Sequence, residues 1–274
     1  MRVLELFSGT HSIGKVFKDK GYEVVSLDRD LGAECPFNSG YVSDKHIKED
    51  IMTWNYKEFP KGHFDVITAS PVCLWWSHLR RCWINRKCKT IHPTEVITQK
   101  HIDDDIDRFG KPMVDKVFEI IDYFQPKYWW VENPQTGRMK EYITDKPFYD
   151  VDYCKYSDWG YKKRTRFWTN IKGFEPKLCK MDCENIIEVK HKIAFGGDHG
   201  KGGKRENGGG GNRLERYRIP EKLVEDLSLN IIDEPKVKKC HLNSSKNSNW
   251  DGKGTLERYR IPEKLVEDLS LNIL

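Results

Sequence analysis

The chain has 274 residues, 38% of them hydrophobic, and its 47 Lys and Arg against 42 Asp and Glu give a net charge of only +5. This length and composition are typical of a globular protein with one sizeable core. No stretch approaches the roughly 20 consecutive apolar residues of a membrane span, so a membrane-spanning protein is excluded and no membrane partner is expected.

Two zones of the chain are strongly basic. Residues 155–216 hold 15 Lys and Arg against 8 Asp and Glu, and residues 78–100 hold six against one. Basic zones on a nearly neutral chain favour an anionic partner such as nucleic acid, although ordinary solvated lysine faces would look the same.

The chain contains eight cysteines. No secretory signal precedes them, because the opening "MRVLELFS" leads straight into a glycine turn and is typical of a first strand. We therefore expect reduced thiols and a cytoplasmic protein.

Strand and helix signals alternate over the first 135 residues. Buried strands that alternate with helices predict an α/β protein with a Rossmann-like, doubly wound, mostly parallel sheet. In such a sheet, ligands bind beyond the carboxyl ends of the strands. The signals are apolar, strand-like runs at 2–7, 22–28, 63–70 and 126–134 and helical patterns at 13–21 and 111–124.

The sequence changes character after about residue 171. A glycine-rich stretch at 196–212 is followed by eighteen residues, 214–231, that recur without change at 256–273. Each copy predicts a helix, with a proline suited to its first turn. A fold with one slot for this helix cannot bury both copies, so we interpret the second copy and the polar spacer before it as dispensable. The apolar face of the first copy would consist of Leu223, Val224, Leu227 and Ile231.

The glycine turn "FSGTHSIG" and the acid at the next strand end, Asp28, suit a nucleoside. The turn lets a ligand approach the backbone, and a carboxylate can accept the ribose hydroxyl groups. The turn lacks the glycine pattern of a dinucleotide site and the Gly-Lys-Ser/Thr of a phosphate loop. Asp28 could equally be an ordinary acid at a strand end.

Three further segments at strand ends suggest chemistry. Cys73, in "ASPVCLWWS", is followed by basic residues that favour a thiolate, although free cysteines are often inert core residues. Glu132, in "ENP", is a candidate acid that could instead be a cap or an ion-pair partner. Arg164 and Arg166 alternate in "RTR", so they share one face of an extended segment, which could be simply a charged surface.

In this order, the segments resemble the cytosine-5 DNA methyltransferase family over about residues 1–230. The small stand-alone members that phages and large viruses often carry have the most similar layout. The resemblance implies a class I methyltransferase fold that uses S-adenosylmethionine and releases S-adenosylhomocysteine. It also implies an enzyme that methylates carbon 5 of cytosine in double-stranded DNA.

The stretch "ELFSGTHSIG" corresponds to the family's cofactor loop, with Glu5 and His11 in place of the usual Asp and Gly. The side chain of His11 is therefore expected to crowd this loop. Asp28 falls at the position of the ribose-binding acid, and Asp50 falls where an acid contacts the adenine amino group. The resemblance implies cofactor binding by Phe7, Ser8, Gly9, Thr10, His11, Asp28, Arg29, Asp50, Ile51 and Pro71.

The segment "PVCLWWS" matches the family's Pro-Pro-Cys motif, which makes Cys73 the nucleophile. The resemblance makes Glu132 the residue that grips the cytosine edge, and it places Arg164 and Arg166 near the base and the thiol. The thiolate would add to carbon 6 of a cytosine that is flipped out of the duplex. The residues expected to bind nucleic acid are Trp75, Trp76, Ser77, Arg80, Arg81, Lys162 and Lys163.

We predict four segments in the chain. A catalytic, cofactor-binding domain at 1–171 is followed by a small, basic, glycine-rich target-recognition or linker region at 172–213. Residues 214–232 form a helix that completes the catalytic domain, and 233–274 are the dispensable tail. Since the family's large target-recognition domain is missing, sequence selectivity should be loose or limited to about two bases. The setting would be a bacterial or phage-infected cytosol, or the nucleus or virus factory for a eukaryotic virus.

Other functions stay open at this stage. One branch of the family methylates tRNA with the same residues, so an RNA cytosine methyltransferase is an alternative. A catalytically inactive protein that binds cofactor or DNA is another, although retention of Cys73, Glu132 and both arginines argues against it. A nicotinamide-dependent oxidoreductase explains neither the cysteine nor "RTR". The oligomeric state is left open.

We expect no metal site. Cys179 and Cys183, with His191 and His199 downstream, allow zinc as an alternative, but the spacing in "CKMDC" is not that of a standard knuckle.

Overall fold

Seven strands form one mixed sheet in the computed structural model, which describes residues 1–30, 42–88, 91–192 and 217–231. The first five strands across the sheet are parallel, and the sixth is antiparallel to both of its neighbours. In spatial order they are β3 (Lys45–Ile47), β2 (Glu23–Leu27), β1 (Arg2–Leu6), β4 (Val66–Ala69), β7 (Tyr128–Pro134), β9 (Arg164–Thr169) and β8 (Phe148–Asp152).

The parallel strands are buried on both faces, which explains their continuous apolar sequences. In β1, Val3 and Leu4 point to opposite faces, and both are fully buried. Two hydrophobic clusters form, one containing Leu4 and the other containing Val3. The strand order confirms the predicted Rossmann-like, doubly wound, mostly parallel α/β fold.

The face that contains Leu4 is covered by one nearly continuous helical run. It consists of α2 (Gln99–Asp105), a π-helical turn (Ile106–Gly110) and α3 (Lys111–Phe124). The predicted helix over 111–124 is confirmed, and its apolar positions pack into the core because they recur at helical spacing. The buried positions of α3 are Val114, Val117, Ile120, Ile121 and Phe124.

The opposite face carries α1 (Ser12–Asp19) and α5 (Glu221–Ser228), which lies in the first copy of the repeat. Lys15 and Glu221 join the two helices by an ion pair of 2.8 Å. Pro220 is the N-cap residue of α5, so it lies just before the first turn and not within it as predicted. The first copy therefore fills this slot, and its predicted apolar face is confirmed, since Leu223, Val224, Leu227 and Ile231 are all buried.

Short elements complete the described chain. Among the described residues, none of the helices has the length and apolarity that a bilayer span requires. The glycine-rich stretch, His199 and the second copy of the repeat lie outside the described residues, and the four predicted segments stay a prediction. The short elements are α4 (Met139–Tyr142), the hairpins β5 (Lys87–Cys88)–β6 (His92–Val96) and β10 (Ile186–Ile187)–β11 (Lys190–His191), and 3₁₀ helices at Tyr56–Glu58, His78–Trp83 and Tyr153–Lys155.

Candidate active site

The strand order brings the segments identified in the sequence to one edge of the sheet. The strands β2, β1, β4 and β7 are adjacent and parallel, so their carboxyl ends lie side by side. Asp28 follows β2, Cys73 follows β4, and Glu132 lies near the end of β7. The chain reverses its winding between β1 and β4, which is where such sheets bind ligands.

The turn after β1 folds back on Asp28. Phe7, Gly9 and His11 have positive φ values of 57°, 49° and 52°, which only Gly9 adopts without strain on a Cβ. The amide of Gly9 donates to Asp28 Oδ2 at 3.0 Å, and the amide of Asp30 donates to Oδ1 at 2.9 Å. The turn therefore holds a partly exposed carboxylate beside bare backbone, where a ribose could lie.

The imidazole of His11 lies beneath the turn. It is fully buried, with Nδ1 3.4 Å from Glu5 Oε2. The buried Glu5 also accepts hydrogen bonds from the amide of Gly14 at 2.9 Å and from Ser26 Oγ at 3.0 Å. The expectation that His11 crowds the cofactor loop is wrong, because Glu5 holds the ring in the interior at the start of α1.

The ten residues expected to bind cofactor divide into two groups. Five are partly or well exposed at the edge of the sheet. Two of these five form an ion pair, with Arg29 Nη1 3.5 Å from Asp50 Oδ2. The other five are buried, so a cofactor at this edge would meet them mainly through main-chain atoms, and their assignment stays a prediction. The exposed group is Phe7, Gly9, Asp28, Arg29 and Asp50, and the buried group is Ser8, Thr10, His11, Ile51 and Pro71.

Cys73 lies in the turn between β4 and the 3₁₀ helix His78–Trp83, and the residue is partly exposed. Asn133 Nδ2, in β7, donates to the carbonyl oxygen of Pro71 at 2.9 Å. The amide of Trp76 donates to the carbonyl oxygen of Cys73 at 3.2 Å. These bonds fix the main chain on both sides of the thiol beside the end of β7.

Glu132 is 6% exposed and is held by two side chains. The Tyr153 hydroxyl donates to Glu132 Oε1 at 3.2 Å, and Lys163 Nζ lies 3.9 Å from the same oxygen. Burial, and then the neighbouring carboxylate, raises the pKa of Tyr153 well above its ordinary value, so the phenol stays a donor. Lys163 Nζ also lies 4.7 Å from the centre of the Tyr153 ring.

The two arginines of "RTR" form two-pronged ion pairs with β8. Arg164 donates to Asp152 at 3.0 and 2.7 Å, and Arg166 donates to Asp150 at 2.7 and 2.9 Å. The Arg166 guanidinium also stacks 3.5 Å above the ring of Phe148. Burial opposes ionisation of Asp152, but Arg164 and the groups around it lower the pKa of this carboxyl below its usual range.

The catalytic candidates do not all share one face of the sheet. Arg166 is the register partner of Asn133, whereas Glu132 is the partner of Phe167. Since side chains alternate along a strand, Arg166 lies on the face of Asn133 and Glu132 lies on the other. The structure thus brings Cys73 and Glu132 to one edge, with Arg166 beside the residue that holds the cysteine turn.

Three of the seven residues expected to bind nucleic acid are buried, which corrects those assignments. Trp76 is 2% exposed and stacks on Tyr142, and Lys163 is 7% exposed beside Glu132. Arg80 is 1% exposed and forms a buried ion pair with Asp105. The four that reach the surface are Trp75, Ser77, Arg81 and Lys162.

Sequence reasoning missed four positioning residues. Asn133 stands inside the quoted "ENP", so its role could have been suspected, but Asp150, Asp152 and Tyr153 carry no signal of their own. Their contacts depend on how β8 and the turn after it pack against β9 and β7.

A second group of side chains converges beyond the carboxyl end of β8. The ligand atoms of Cys154, Cys179, Cys183 and His191 all lie within 4.8 Å of one another. Sequence reasoning expected no metal and named His199 as a possible ligand, but Cys154 completes the group that the structure assembles.

Comparison with known proteins identifies the family. No protein-family model matches the chain. A "Probable DNA (cytosine-5)-methyltransferase" of Frog virus 3 is 40% identical over 237 residues, which cover 83% of this chain and 98% of the relative. The chain belongs to the DNA (cytosine-5)-methyltransferase family. The predicted family and the predicted enzyme class are therefore confirmed, and the cofactor of this cytosine-5 methyltransferase is S-adenosylmethionine, as expected.

Solved structures with a related layout include other methyltransferases. A DNMT2 mutant from Spodoptera frugiperda is 14% identical to this methyltransferase, with a TM-score of 0.37. The match covers 64% of this chain and 53% of the DNMT2 chain. A SAM-dependent methyltransferase from Archaeoglobus fulgidus is 14% identical, with coverages of 68% and 72% and a TM-score of 0.33. This chain thus spans about half the length of the DNMT2 chain. The fold assignment rests on the strand order, not on these scores.

Proposed function

We propose that this methyltransferase acts on cytosine in DNA through a covalent adduct between Cys73 and a base flipped out of the duplex. The observation that carries the proposal is the position of the partly exposed Cys73 in a turn whose main chain is fixed. This turn follows β4, which is adjacent to β7, the strand that holds the buried Glu132, at the edge where the cofactor turn also opens. The base that receives the methyl group and the cofactor that donates it would therefore meet over neighbouring strand ends.

The thiol supplies the nucleophile. The Cys73 thiolate adds to carbon 6 of the base, which gives carbon 5 the character of an enamine that can accept a methyl group. After transfer, a base removes the proton from carbon 5, and elimination of the sulfur from carbon 6 restores the thiolate and the double bond. The target must leave the stack first, at a cost of about a few kcal/mol.

Glu132 would bind the edge of the base. Tyr153 and Lys163 both approach Oε1, so the carboxyl is held in one orientation at the sheet edge. A carboxyl at ring nitrogen 3 and the exocyclic amino group draws electron density into the ring while the thiolate adds at carbon 6. Lys163 is buried beside Glu132 and would therefore act as a positioning residue for this carboxyl, not as a DNA contact.

Arg164 and Arg166 would act from the other face of β9. Arg166 neighbours Asn133, which holds the cysteine turn through Pro71, so its guanidinium contributes positive charge on the side of the thiol. Asp150 and Asp152 fix both guanidinium groups by two hydrogen bonds each, so that they need no reorganisation when charge develops.

The exposed edge residues fit S-adenosylmethionine, which supplies an electrophilic sulfonium methyl group when bound. An ionised carboxylate has about four lone-pair sites, so Asp28 can accept ribose hydroxyls while it holds the turn. Asp50 is 38% exposed and can accept from the adenine amino group. Gly9 leaves room for the ligand, since among the described residues beyond its chain neighbours a Cβ there would meet only Phe7 O within 4 Å.

Methyl transfer tests the proposal. With labelled S-adenosylmethionine and, in separate reactions, duplex DNA and tRNA, we expect label in 5-methylcytosine of DNA, identified by nucleoside mass spectrometry. Label confined to tRNA would replace DNA by RNA as the substrate. Cofactor binding without transfer to either would identify a catalytically inactive binding protein.

Arg80 and Arg81 should separate folding from DNA binding. The Arg80→Met change leaves Asp105 buried without its guanidinium partner, and we expect the free energy of unfolding to fall by about 3–5 kcal/mol. The matched Arg81→Met change alters an exposed cation, so stability should hold while the salt dependence of log K for DNA loses about one unit of slope. Urea unfolding and binding titrations at several salt concentrations measure the two effects, and unchanged stability of Arg80→Met would contradict the structural role.

A further inference from the structure

Three thiols and one imidazole meet in a single cluster. His191 Nε2 lies 3.6 Å from Cys179 Sγ and 3.4 Å from Cys183 Sγ. Cys154 Sγ completes the group, in which all four atoms lie within 4.8 Å of one another. Cys154 and Cys179 are each 4% exposed. The ligands come from three places: the turn after β8, the loop 179–183 and β11.

The two sulfur–nitrogen distances match those of a tetrahedral metal site. With Zn–S bonds of about 2.3 Å and Zn–N bonds of about 2.0 Å, a sulfur and a nitrogen ligand lie ~3.5 Å apart. Three thiolates and one imidazole are the ligands of structural zinc sites, and soft sulfur ligands disfavour magnesium or calcium. We propose that Cys154, Cys179, Cys183 and His191 bind one structural zinc ion.

The segment 179–191, which supplies three of the four metal ligands, needs a metal ion because it has little hydrophobic core of its own. Its secondary structure is limited to the two-residue strands β10 and β11. Three of its apolar side chains point outward, since Met181 is 46%, Ile187 56% and Val189 83% exposed. Segments that bury so little apolar surface are commonly held together by metal ions or disulfides. Zinc would supply the cross-links that the hydrophobic side chains do not.

The surroundings suit an anionic metal centre. Three thiolates around one Zn²⁺ leave a net negative charge, and Lys162 Nζ lies 3.2 Å from the carbonyl oxygen of Cys179. The main-chain amide of Cys179 donates to Asp152 Oδ2 at 2.8 Å, and Asp152 holds Arg164. The zinc site therefore also fixes the support of a proposed active-site arginine.

Metal analysis of the full-length chain tests the site. After purification under reducing conditions with zinc present, we expect about one zinc ion per chain by mass spectrometry of the metals. Substitution by Co²⁺ should give the thiolate charge-transfer and visible bands of a tetrahedral centre. Cys179→Ser should lose the metal, whereas Cys82→Ser, which removes an exposed thiol outside the cluster, should retain it.

His191→Cys guards against a result that reflects misfolding alone. This variant keeps four zinc ligands, so we expect it to retain the metal and to shift the cobalt spectrum towards that of an all-sulfur site, whereas His191→Ala should lose it. Substoichiometric zinc in the wild-type chain, or equal zinc in the wild-type and Cys179→Ser chains, would each overturn the proposal.

Discussion

Replacing Cys73 with serine should lower methyl transfer to DNA by on the order of 10³-fold or more, because a serine hydroxyl at neutral pH is a far weaker nucleophile than a thiolate. The thiol is partly exposed, and the turn is fixed through main-chain atoms, so the variant should fold and bind S-adenosylmethionine as the wild type does. Initial rates with labelled cofactor and duplex DNA measure the loss.

A duplex that contains 5-fluorocytosine tests the same prediction by trapping the covalent bond between Cys73 and the base. Fluorine at carbon 5 cannot leave as a proton does, so the wild-type enzyme should remain attached to the DNA in the presence of cofactor. The adduct should map to Cys73 by peptide mass spectrometry. Cys82→Ser is the matched control, since Cys82 is an exposed cysteine nine residues away, and it should form the adduct normally. Adduct formation by Cys73→Ser would refute covalent catalysis at this residue.

Glu132→Gln should lower kcat by about 10²–10⁴-fold and leave KM for DNA nearly unchanged. Glutamine has the same shape and can still accept from Tyr153 and pair with the cytosine edge, but it cannot share a proton with ring nitrogen 3 as a carboxyl can. The loss should therefore fall on the chemical step and not on binding.

Steady-state kinetics with varied DNA separate these two outcomes for Glu132. Glu141→Gln is the control, because this carboxylate is 54% exposed on α4 and pairs with Arg138. Both variants should unfold at the same temperature as the wild type to within a few degrees. A rise in KM at constant kcat for Glu132→Gln would assign the carboxyl to binding alone.

The fold could be read from the sequence because its main signals are local. Continuous apolar runs identify buried parallel strands, and the 3.6-residue spacing of 111–124 identifies α3. The ends of those strands then indicate where Cys73 and Glu132 should lie, since parallel strands end at one edge. These parts need no knowledge of distant contacts.

Burial of single charged residues could not be read in the same way. Arg80 stands in a basic stretch that suggests DNA contact, yet it pairs in the interior with Asp105, 25 residues later. Lys163 beside Glu132 and His11 beside Glu5 follow the same logic. The third thiol of the proposed zinc site, Cys154, was missed because it reaches the cluster from a turn 25 residues before Cys179.

The buried side chains in and after the cysteine turn restrict how far this segment can move. Trp76 packs so tightly on the π-helical turn that a Cβ on Gly110 would lie 3.0 Å from its ring. Arg80, four residues after Trp76, is paired with the buried Asp105. A segment anchored in this way cannot swing as a whole. His92 of β6 lies 3.0 Å from the same Asp105 carboxylate, so the hairpin is anchored as well. Under the proposed mechanism, the sulfur would stay still while the flipped base moves up to it.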